Sequence, residues 1–144
     1  MADPEYRYQV LLEKIRQRGG RITSHRLALL RLLSESRGHP NAVQMYEELR
    51  KIFPTISLAT IYKTLTLLKG EGEVLEIDLR NDSHYDGNKP FPHPHLICSS
   101  CGQIMDADEA GSIDKLNTEI WEKYHFQVLH TQLVFHGICT KCQV

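Results

Sequence analysis

Four cysteines, arranged in two pairs with the same spacing, are the residues of this chain best suited to chemistry. Cys98 and Cys101 form one Cys-x-x-Cys pair, and Cys139 and Cys142 form the other. A turn of this kind directs both sulfur atoms toward one point, and two such turns complete the tetrahedral four-sulfur shell typical of structural zinc. Because every cysteine lies in one of these pairs, we expect one zinc ion per chain. Two disulfide bonds or four free thiols are the alternatives.

A second set of candidate ligands consists of histidines and aspartates. Its members are His39, Asp86, His93, His95 and Asp106. His93 and His95 are two residues apart, and side chains at this spacing on a strand point to the same side. Such a mixture of imidazole and carboxylate groups suits Fe(II), Mn(II) or Zn(II). The simpler interpretation of a lone histidine such as His39 is a surface residue without a ligand role.

Charge divides the chain into two halves of opposite sign. Residues 1–72 contain 12 Lys+Arg and 7 Asp+Glu, a net charge of +5, whereas residues 73–144 contain 5 Lys+Arg and 11 Asp+Glu, a net charge of −6; the sum is the overall −1. A basic half followed by an acidic half rich in His and Cys suggests a domain that binds a polyanion joined to one that binds cations. Two solvated faces of one domain are the alternative.

The order of elements over residues 1–86 predicts a winged helix-turn-helix. Helical segments that end at glycine or proline are followed by a fourth helix from Ser57 to about Lys69. Val74–Leu79 then has strand character, Arg80–Ser83 is a predicted turn, and His84–Asp86 returns as a second strand. Three or four short helices followed by a β-hairpin is the order of that DNA-binding fold.

In this fold the fourth helix enters the major groove of DNA. Its predicted outward face carries hydroxyl groups, one phenol and one ammonium group, which suit phosphate oxygens and base edges. A basic residue in the turn before the second helix adds to this surface. The predicted DNA contacts are Arg21, Ser57, Thr60, Tyr62, Lys63 and Thr64. The alternative is that these side chains only cover a solvent-exposed face.

Three prolines at positions 90, 92 and 94 exclude a helix between the two halves and predict an extended hinge over residues 87–94. Beyond the hinge, the pattern predicts strands at His95–Cys98, Gln103–Met105 and Phe126–Phe135. A helix that begins after Ser112 is expected to turn its apolar residues inward; these are Ile113, Leu116, Ile120 and Tyr124.

The predicted fold class is therefore α+β, with a winged-helix domain over residues 1–86, the hinge, and a small α/β domain over residues 95–144. The N-terminus has no apolar run, so we expect no signal peptide, no membrane contact and a cytoplasmic location. In the cytoplasm, metal ligation by the cysteines is favoured over disulfide formation.

Several motifs resemble the ferric uptake regulator (Fur) family across nearly the whole chain. They are Arg21-Ile22-Thr23, Gly38-His39-Pro40, Ser57-Leu58-Ala59-Thr60-Ile61-Tyr62, His93-x-His95-Leu-Ile-Cys-x-x-Cys-Gly and Gly137-x-Cys-x-x-Cys. The resemblance implies an N-terminal DNA-binding domain, a C-terminal dimerisation domain and a homodimer. It also implies that Fe(II) or Mn(II), bound by the five histidines and aspartates named above, closes the two DNA-binding heads onto a palindromic operator.

Aspartate at positions 86 and 106 resembles the peroxide-responsive branch of the family. In that branch bound Fe(II) reacts with hydrogen peroxide, and a ligand histidine becomes oxidised. The iron-uptake branch usually has glutamate at these positions, so an iron- or other metal-uptake regulator is the alternative. An auxiliary third metal site of the family is expected to be absent, because Pro92 and Pro94 replace two of its ligands and leave His130 and Asp114 without their partners.

Two functions of other classes compete with a repressor. A zinc enzyme would use His93, His95 and Asp106 to hold a metal ion with bound water. However, the chain has no His-Glu-x-x-His motif, and hydrolysis would not explain a basic winged helix. A zinc-ribbon interaction module without a second metal is the third possibility. The sequence therefore predicts a metal- or peroxide-responsive repressor and not an enzyme.

Overall fold

The computed structural model of the chain describes residues 3–36, 38–79, 82–108 and 112–144. Two compact units make up the chain, Met1–Phe91 and Pro92–Val144, which we call unit 1 and unit 2. Their boundary falls inside the predicted hinge, while the predicted domain bounds themselves stay a prediction. None of the described helices is long and apolar enough to cross a membrane.

The described part of unit 1 consists of helices followed by a two-stranded antiparallel sheet. The helices are α1 (Pro4–Gln17), α2 (Ser24–Glu35), α3 (Ala42–Arg50) and α4 (Leu58–Gly70), and the strands are β1 (Leu75–Leu79) and β2 (Asp82–Asp86). This is the predicted winged helix-turn-helix order. Of the predicted turn, Asp82 and Ser83 belong to β2, and Arg80 and Asn81 lie outside the described residues.

Polar side chains fix the start of each helix in unit 1. Asp3, Thr23, Asn41 and Ser57 each accept a hydrogen bond from the backbone N–H three residues further along. At α3 the Gln44 side chain also accepts from the backbone of Asn41, which completes a capping box. Each such cap stabilises its helix by about 1 kcal/mol. The Ser57 cap therefore sets where α4, the proposed recognition helix, begins.

Aliphatic side chains from all four helices form the core of unit 1. Fully buried members include Leu11, Leu30, Met45, Ile61 and Leu65. Helix α3 contributes Ala42, Met45 and Leu49, which recur at helical spacing. Val43 lies outside this stripe and is 50 % exposed.

In its described residues, unit 2 has a three-stranded sheet and one helix. Strand β3 (His95–Cys98) lies between β4 (Ile104–Asp106), which is antiparallel to it, and β5 (Val134–Gly137), which is parallel. Helix α5 (Ile113–Tyr124) lies between β4 and β5 in the chain. The predicted extent of the third strand was wrong, because pairing with β3 begins only at Val134.

Helix α5 turns much of its apolar side away from unit 2. Ile113 is buried as predicted, whereas Leu116 is 46 % and Tyr124 is 71 % exposed. Trp121 is also half exposed. The inward orientation predicted for Leu116 and Tyr124 was therefore wrong for the single chain. An exposed aromatic and aliphatic surface of this kind is typical of an interaction site.

Candidate metal centres and nucleic-acid surface

Strands β3 and β5 bring the two cysteine pairs together within unit 2. Their parallel register places Cys98 beside Gly137, two residues before Cys139. All four sulfur atoms lie within 4.8 Å of one another, and those of Cys101 and Cys139 are 3.8 Å apart. A tetrahedral zinc ion with Zn–S bonds of about 2.3 Å separates its ligands by roughly 3.8 Å. All four thiols are free, so their arrangement suits the zinc ion that the spacing predicts.

Backbone amides prepare one of these sulfur atoms to carry charge. The N–H of Cys139 and then the N–H of Cys101 donate to the Cys98 sulfur over 3.4 Å and 3.5 Å, and they lower the pKa of the Cys98 thiol to about 6. At Cys142 a hydrogen bond with Ser100 lowers the pKa, but the contacts with the other three cysteines and burial together outweigh it and raise the pKa to about 12. Four thiolates at neutral pH therefore require a cation among them.

Two histidines of unit 2, His93 and His95, converge on a single carboxylate oxygen. His93 Nε2 lies 2.8 Å and His95 Nε2 3.3 Å from Asp106 Oδ1. The antiparallel register of β3 and β4 places His95 opposite Asp106. The two imidazole rings, with centroids 4.3 Å apart, lie on the same side of the backbone as predicted. Both histidines are buried, with only 4 % and 2 % exposed.

Unit 1 holds a second, smaller set made of one histidine and one aspartate. His39, from the loop between α2 and α3, has its Nε2 3.5 Å from Oδ2 of Asp86 at the end of β2. This loop is attached to β2, because the Tyr85 N–H donates to the Pro40 carbonyl over 3.0 Å. Nδ1 of the His84 ring also lies within hydrogen-bond distance of the His39 carbonyl. Both candidate ligands of unit 1 are therefore supported by one strand.

The donor distances in each set suit a first-row transition metal. Adjacent ligands of an octahedral ion with bonds of about 2.1 Å are roughly 3 Å apart. The separations within unit 2 and within unit 1, from 2.8 to 3.5 Å, match this value to within half an ångström. Each unit thus contains nitrogen and carboxylate donors that could share one ion's coordination shell.

Other histidines that could have been ligands are placed differently. His84 uses both ring nitrogens within the protein, one toward the His39 carbonyl and the other 3.4 Å from the Asp82 carboxylate. His130 and Asp114 belong to no group of candidate ligands among the described residues. The expectation that these two do not form a third site stays a prediction.

Most of the predicted DNA contacts lie on the surface of unit 1. Arg21, Ser57, Tyr62 and Lys63 are exposed, and Thr60 is partly exposed. The Ser57 and Thr60 hydroxyls are 3.0 Å apart at the start of α4. Ser57, Thr60, Tyr62 and Lys63 are therefore accessible at the start and on the surface of α4, and we call these four residues the α4 face.

Thr64 does not belong to this surface, and its predicted outward orientation was wrong. Its side chain is fully buried, and its hydroxyl donates to the Thr60 carbonyl over 2.9 Å. Arg26 donates from Nε to the same hydroxyl over 3.1 Å and from Nη1 to the Arg21 carbonyl over 3.0 Å. Thr64 thus connects α4 to the turn before α2 and does not face a ligand.

Sequence reasoning did not find the residues that hold Asp86 in place. Asp86 Oδ1 accepts hydrogen bonds from the backbone N–H of Asn88 and of Lys89, over 3.0 and 2.8 Å. Arg7, which lies in α1, donates to the Gly87 carbonyl. The succession Asp-Gly-Asn is a turn signature and could have indicated the first contact. Nothing local indicates the second, because it spans 80 positions of sequence.

Comparison with known proteins places these observations in a family. The profile of the ferric uptake regulator family matches residues 17–142. The peroxide-responsive repressor PerR of Staphylococcus aureus is 35 % identical over 141 residues, which are 96 % of this chain and 93 % of that protein. The structure of the Campylobacter jejuni peroxide stress regulator is 31 % identical with a TM-score of 0.68, covering 93 % of this chain and 97 % of that one.

The fold is shared more widely than the sequence. The Helicobacter pylori ferric uptake regulator Fur, only 21 % identical, superposes with a TM-score of 0.79 over 99 % of this chain and 95 % of that one. This agreement confirms the predicted α+β class. With the family match over most of its length, the chain belongs to the ferric uptake regulator family and is a metal-responsive regulator.

Proposed function

We propose that this chain is a homodimeric transcriptional repressor that binds double-stranded DNA when a regulatory Fe(II) or Mn(II) ion is present. The observation that carries the proposal is that each unit has its own His/Asp set, with most members buried, at the spacing of metal ligands. A regulator that reads DNA would act in the cytoplasm, where its operators are accessible.

The regulatory ligands in this proposal are the five residues His39, Asp86, His93, His95 and Asp106. Ligands from two units bind one cation together only in conformers that bring the units into the correct relative position. The ion therefore stabilises those conformers by its differential affinity, and in these the two copies of α4 match the operator. Removing one ligand weakens this bias without touching the DNA-binding surface.

The proposed DNA contact is the α4 face together with Arg21. The exposed Lys63 ammonium and the hydroxyls suit phosphate oxygens, while Tyr62 can reach base edges. A homodimer presents two such helices related by a two-fold axis, so the operator should be palindromic. The uncovered apolar residues of α5 support dimerisation through unit 2.

Peroxide sensing is the more specific part of the proposal. Bound Fe(II) supplies the reactivity toward hydrogen peroxide. One peroxide oxygen is added to a ligand imidazole and the other leaves as water, so the ring is oxidised and the peroxide reduced. The aspartates at positions 86 and 106 and the likeness to two peroxide regulators support this over a metal-uptake regulator, which is the alternative.

Metal-dependent DNA binding tests the proposal. Protein purified without oxygen and filled with zinc would be used to select sequences from a random duplex library with Mn(II) present. We expect enrichment of a palindrome, bound much more weakly when Mn(II) is removed and by His93→Ala. His136→Ala, an exposed histidine on β5, should bind like the parent. DNA binding that ignores Mn(II) in the parent would favour the zinc-ribbon alternative.

A further inference from the structure

We infer that Arg7 is a positioning residue for the regulatory metal site, because it fixes the peptide that holds the Asp86 carboxylate. This inference rests on the proposed function, in which Asp86 is a metal ligand. Arg7 lies in the first turns of α1 and is only 5 % exposed. An arginine is seldom buried so completely unless all of its donors are paired.

The Arg7 guanidinium is bound to two backbone carbonyls and one carboxylate. Its Nε and Nη2 donate to the Gly87 carbonyl over 3.2 and 3.0 Å. Nη2 also donates to the Glu73 carbonyl, and Nη1 to the Glu73 carboxylate, each over 3.0 Å. We call the paired bonds to Gly87 the Arg7 clamp. They connect the start of the chain to the residue directly after Asp86.

The clamp acts on Asp86 through a single peptide unit. The Gly87 carbonyl and the Asn88 N–H belong to the same planar amide, in which they point in opposite directions. When Arg7 fixes the oxygen, it therefore also fixes the direction of the N–H, which donates to Asp86 Oδ1 over 3.0 Å. A hydrogen bond from a cation to the carbonyl also polarises the amide and strengthens its N–H as a donor.

Two further contacts hold the same turn. Asn88 is buried, with only 7 % exposed. Its side chain donates from Nδ2 to the Ser34 carbonyl over 3.0 Å. Gly87 lies against α2, and a Cβ built on it would come within 2.9 Å of Leu33 Cβ and 3.2 Å of Leu33 O. The turn is thus enclosed by α1 on one side and α2 on the other.

This arrangement determines which oxygen of Asp86 a metal ion would receive. Oδ1 already accepts the N–H groups of Asn88 and Lys89, which use the two lone pairs of a carboxylate oxygen. Oδ2 is the oxygen directed at His39. The clamp therefore presents Asp86 as a ligand through one oxygen. Groups that orient a ligand in this way typically change metal affinity by about 10- to 100-fold when they are replaced.

The test compares two substitutions in the same buried cluster. Arg7→Lys keeps the positive charge near Glu73 but loses the paired donors, and Glu73→Gln keeps the Arg7 clamp but loses the charge partner. Mn(II) affinity would be measured by chelator competition on zinc-filled protein, and the unfolding temperature in parallel. We expect Arg7→Lys to bind Mn(II) about tenfold more weakly. The Mn(II) affinity of Glu73→Gln should stay within about twofold of that of the parent, even if both variants unfold at a lower temperature.

A double-substitution cycle separates positioning from general destabilisation. In an Asp86→Ala background the turn no longer holds a ligand. Adding Arg7→Lys to this background should therefore lower the Mn(II) affinity by less than about twofold. Equal losses for Arg7→Lys and Glu73→Gln, or an Arg7→Lys loss of the same size with and without Asp86, would overturn the inference. If Asp86→Ala alone left Mn(II) affinity intact, the ligand set of the proposed function would also fail.

Gly87→Ala provides a second route if Arg7→Lys does not fold. It leaves Arg7 and Glu73 unchanged but places a methyl group against Leu33, which must shift the same peptide. We expect Gly87→Ala, like Arg7→Lys, to bind Mn(II) about tenfold more weakly than the parent. As a control, Gly38→Ala adds a methyl group in open space next to His39 and should leave the affinity within about twofold. A folded Gly87→Ala protein with parental affinity would contradict positioning by this turn.

Discussion

At the scale of single residues, the sequence predicts a site best where the ligands are close together in the chain. Each Cys-x-x-Cys pair is local, so its two sulfur atoms were bound to be neighbours. The pairing of His93 with His95 follows from strand geometry in the same way. Thr64 shows where this reasoning ends. It lies at the edge of the buried stripe of α4, and its hydroxyl accepts a hydrogen bond from Arg26, 38 positions away.

Replacing Cys98 with serine is expected to remove the zinc ion. Cys98 accepts two backbone N–H groups, which favour a thiolate, and a serine hydroxyl does not deprotonate to take its place. Zinc content measured by elemental analysis should fall from about one to well below one per chain, and unit 2 should lose stability, since binding energy is folding energy at such sites. Ser99→Ala, on the same turn and exposed, should retain zinc. A Cys98→Ser protein with full zinc content and parental stability would contradict the four-sulfur site.

Tyr85 should make the protein sensitive to alkaline pH. Burial, followed by the negative charge of Glu76, raises the pKa of its phenol to about 12. The folded state thus favours the protonated phenol, so the stability it contributes is present below the unfolded pKa of about 10 and is lost as pH rises toward 12. The urea midpoint of unfolding should fall less between pH 8 and pH 11.5 for Tyr85→Phe than for the parent protein.

The matched control for this measurement is Tyr62→Phe, since Tyr62 is 46 % exposed. Its midpoints should follow the parent at both pH values. If Tyr85→Phe lost as much stability as the parent between pH 8 and pH 11.5, the phenol would not be the group responsible.

At the scale of elements, helices were predictable because their signals are local. The helix starts at Ser57 and Ser112 were predicted, and both serines cap their helices. The extent of β5 was not, because a strand is defined by its partner. Phe126 lies in a stretch with strand-like composition, but the pairing with β3 begins at Val134. The outward side of α5 was missed for a related reason, because periodicity shows an apolar face without showing what covers it.

The α4 face makes an element-scale prediction about DNA. Lys63→Ala should weaken binding to the selected operator and reduce the slope of log affinity against log salt by about 1, as loss of one phosphate contact does. Tyr62→Ala should weaken binding with little change in slope. The control is Lys51→Ala, since Lys51 is exposed at the end of α3 and forms an ion pair with Glu48. Unchanged affinity in both α4 variants would exclude this helix as the recognition element.

At the scale of the whole molecule, an uncovered apolar surface on unit 2 predicts a dimer. Trp121 is 53 % exposed on α5, and buried interface tryptophans commonly contribute about 2 kcal/mol or more. Trp121→Glu should therefore weaken dimerisation by at least about 30-fold, measured by sedimentation of dilute protein. Glu122→Gln, the next residue on the helix, should remain dimeric. A Trp121→Glu protein with parental dimer affinity would exclude this part of α5 from the interface.

The proposed peroxide response involves the whole molecule, because oxidation at one metal site must release unit 1, which carries the α4 face, from DNA. Five single donors would leave one position of an octahedral ion for peroxide, and the N–H groups on Asp86 Oδ1 favour single-oxygen binding by that residue. Because the oxidant is consumed where it forms, His39 or His93 should gain one oxygen atom in the iron form, and DNA affinity should fall. The manganese form lacks this reactivity and should stay bound. Peptide mass spectrometry of both forms, with the exposed His136 as the internal control, measures the modification. Unmodified ligand histidines with undiminished DNA binding in the iron form would instead favour a metal-uptake regulator.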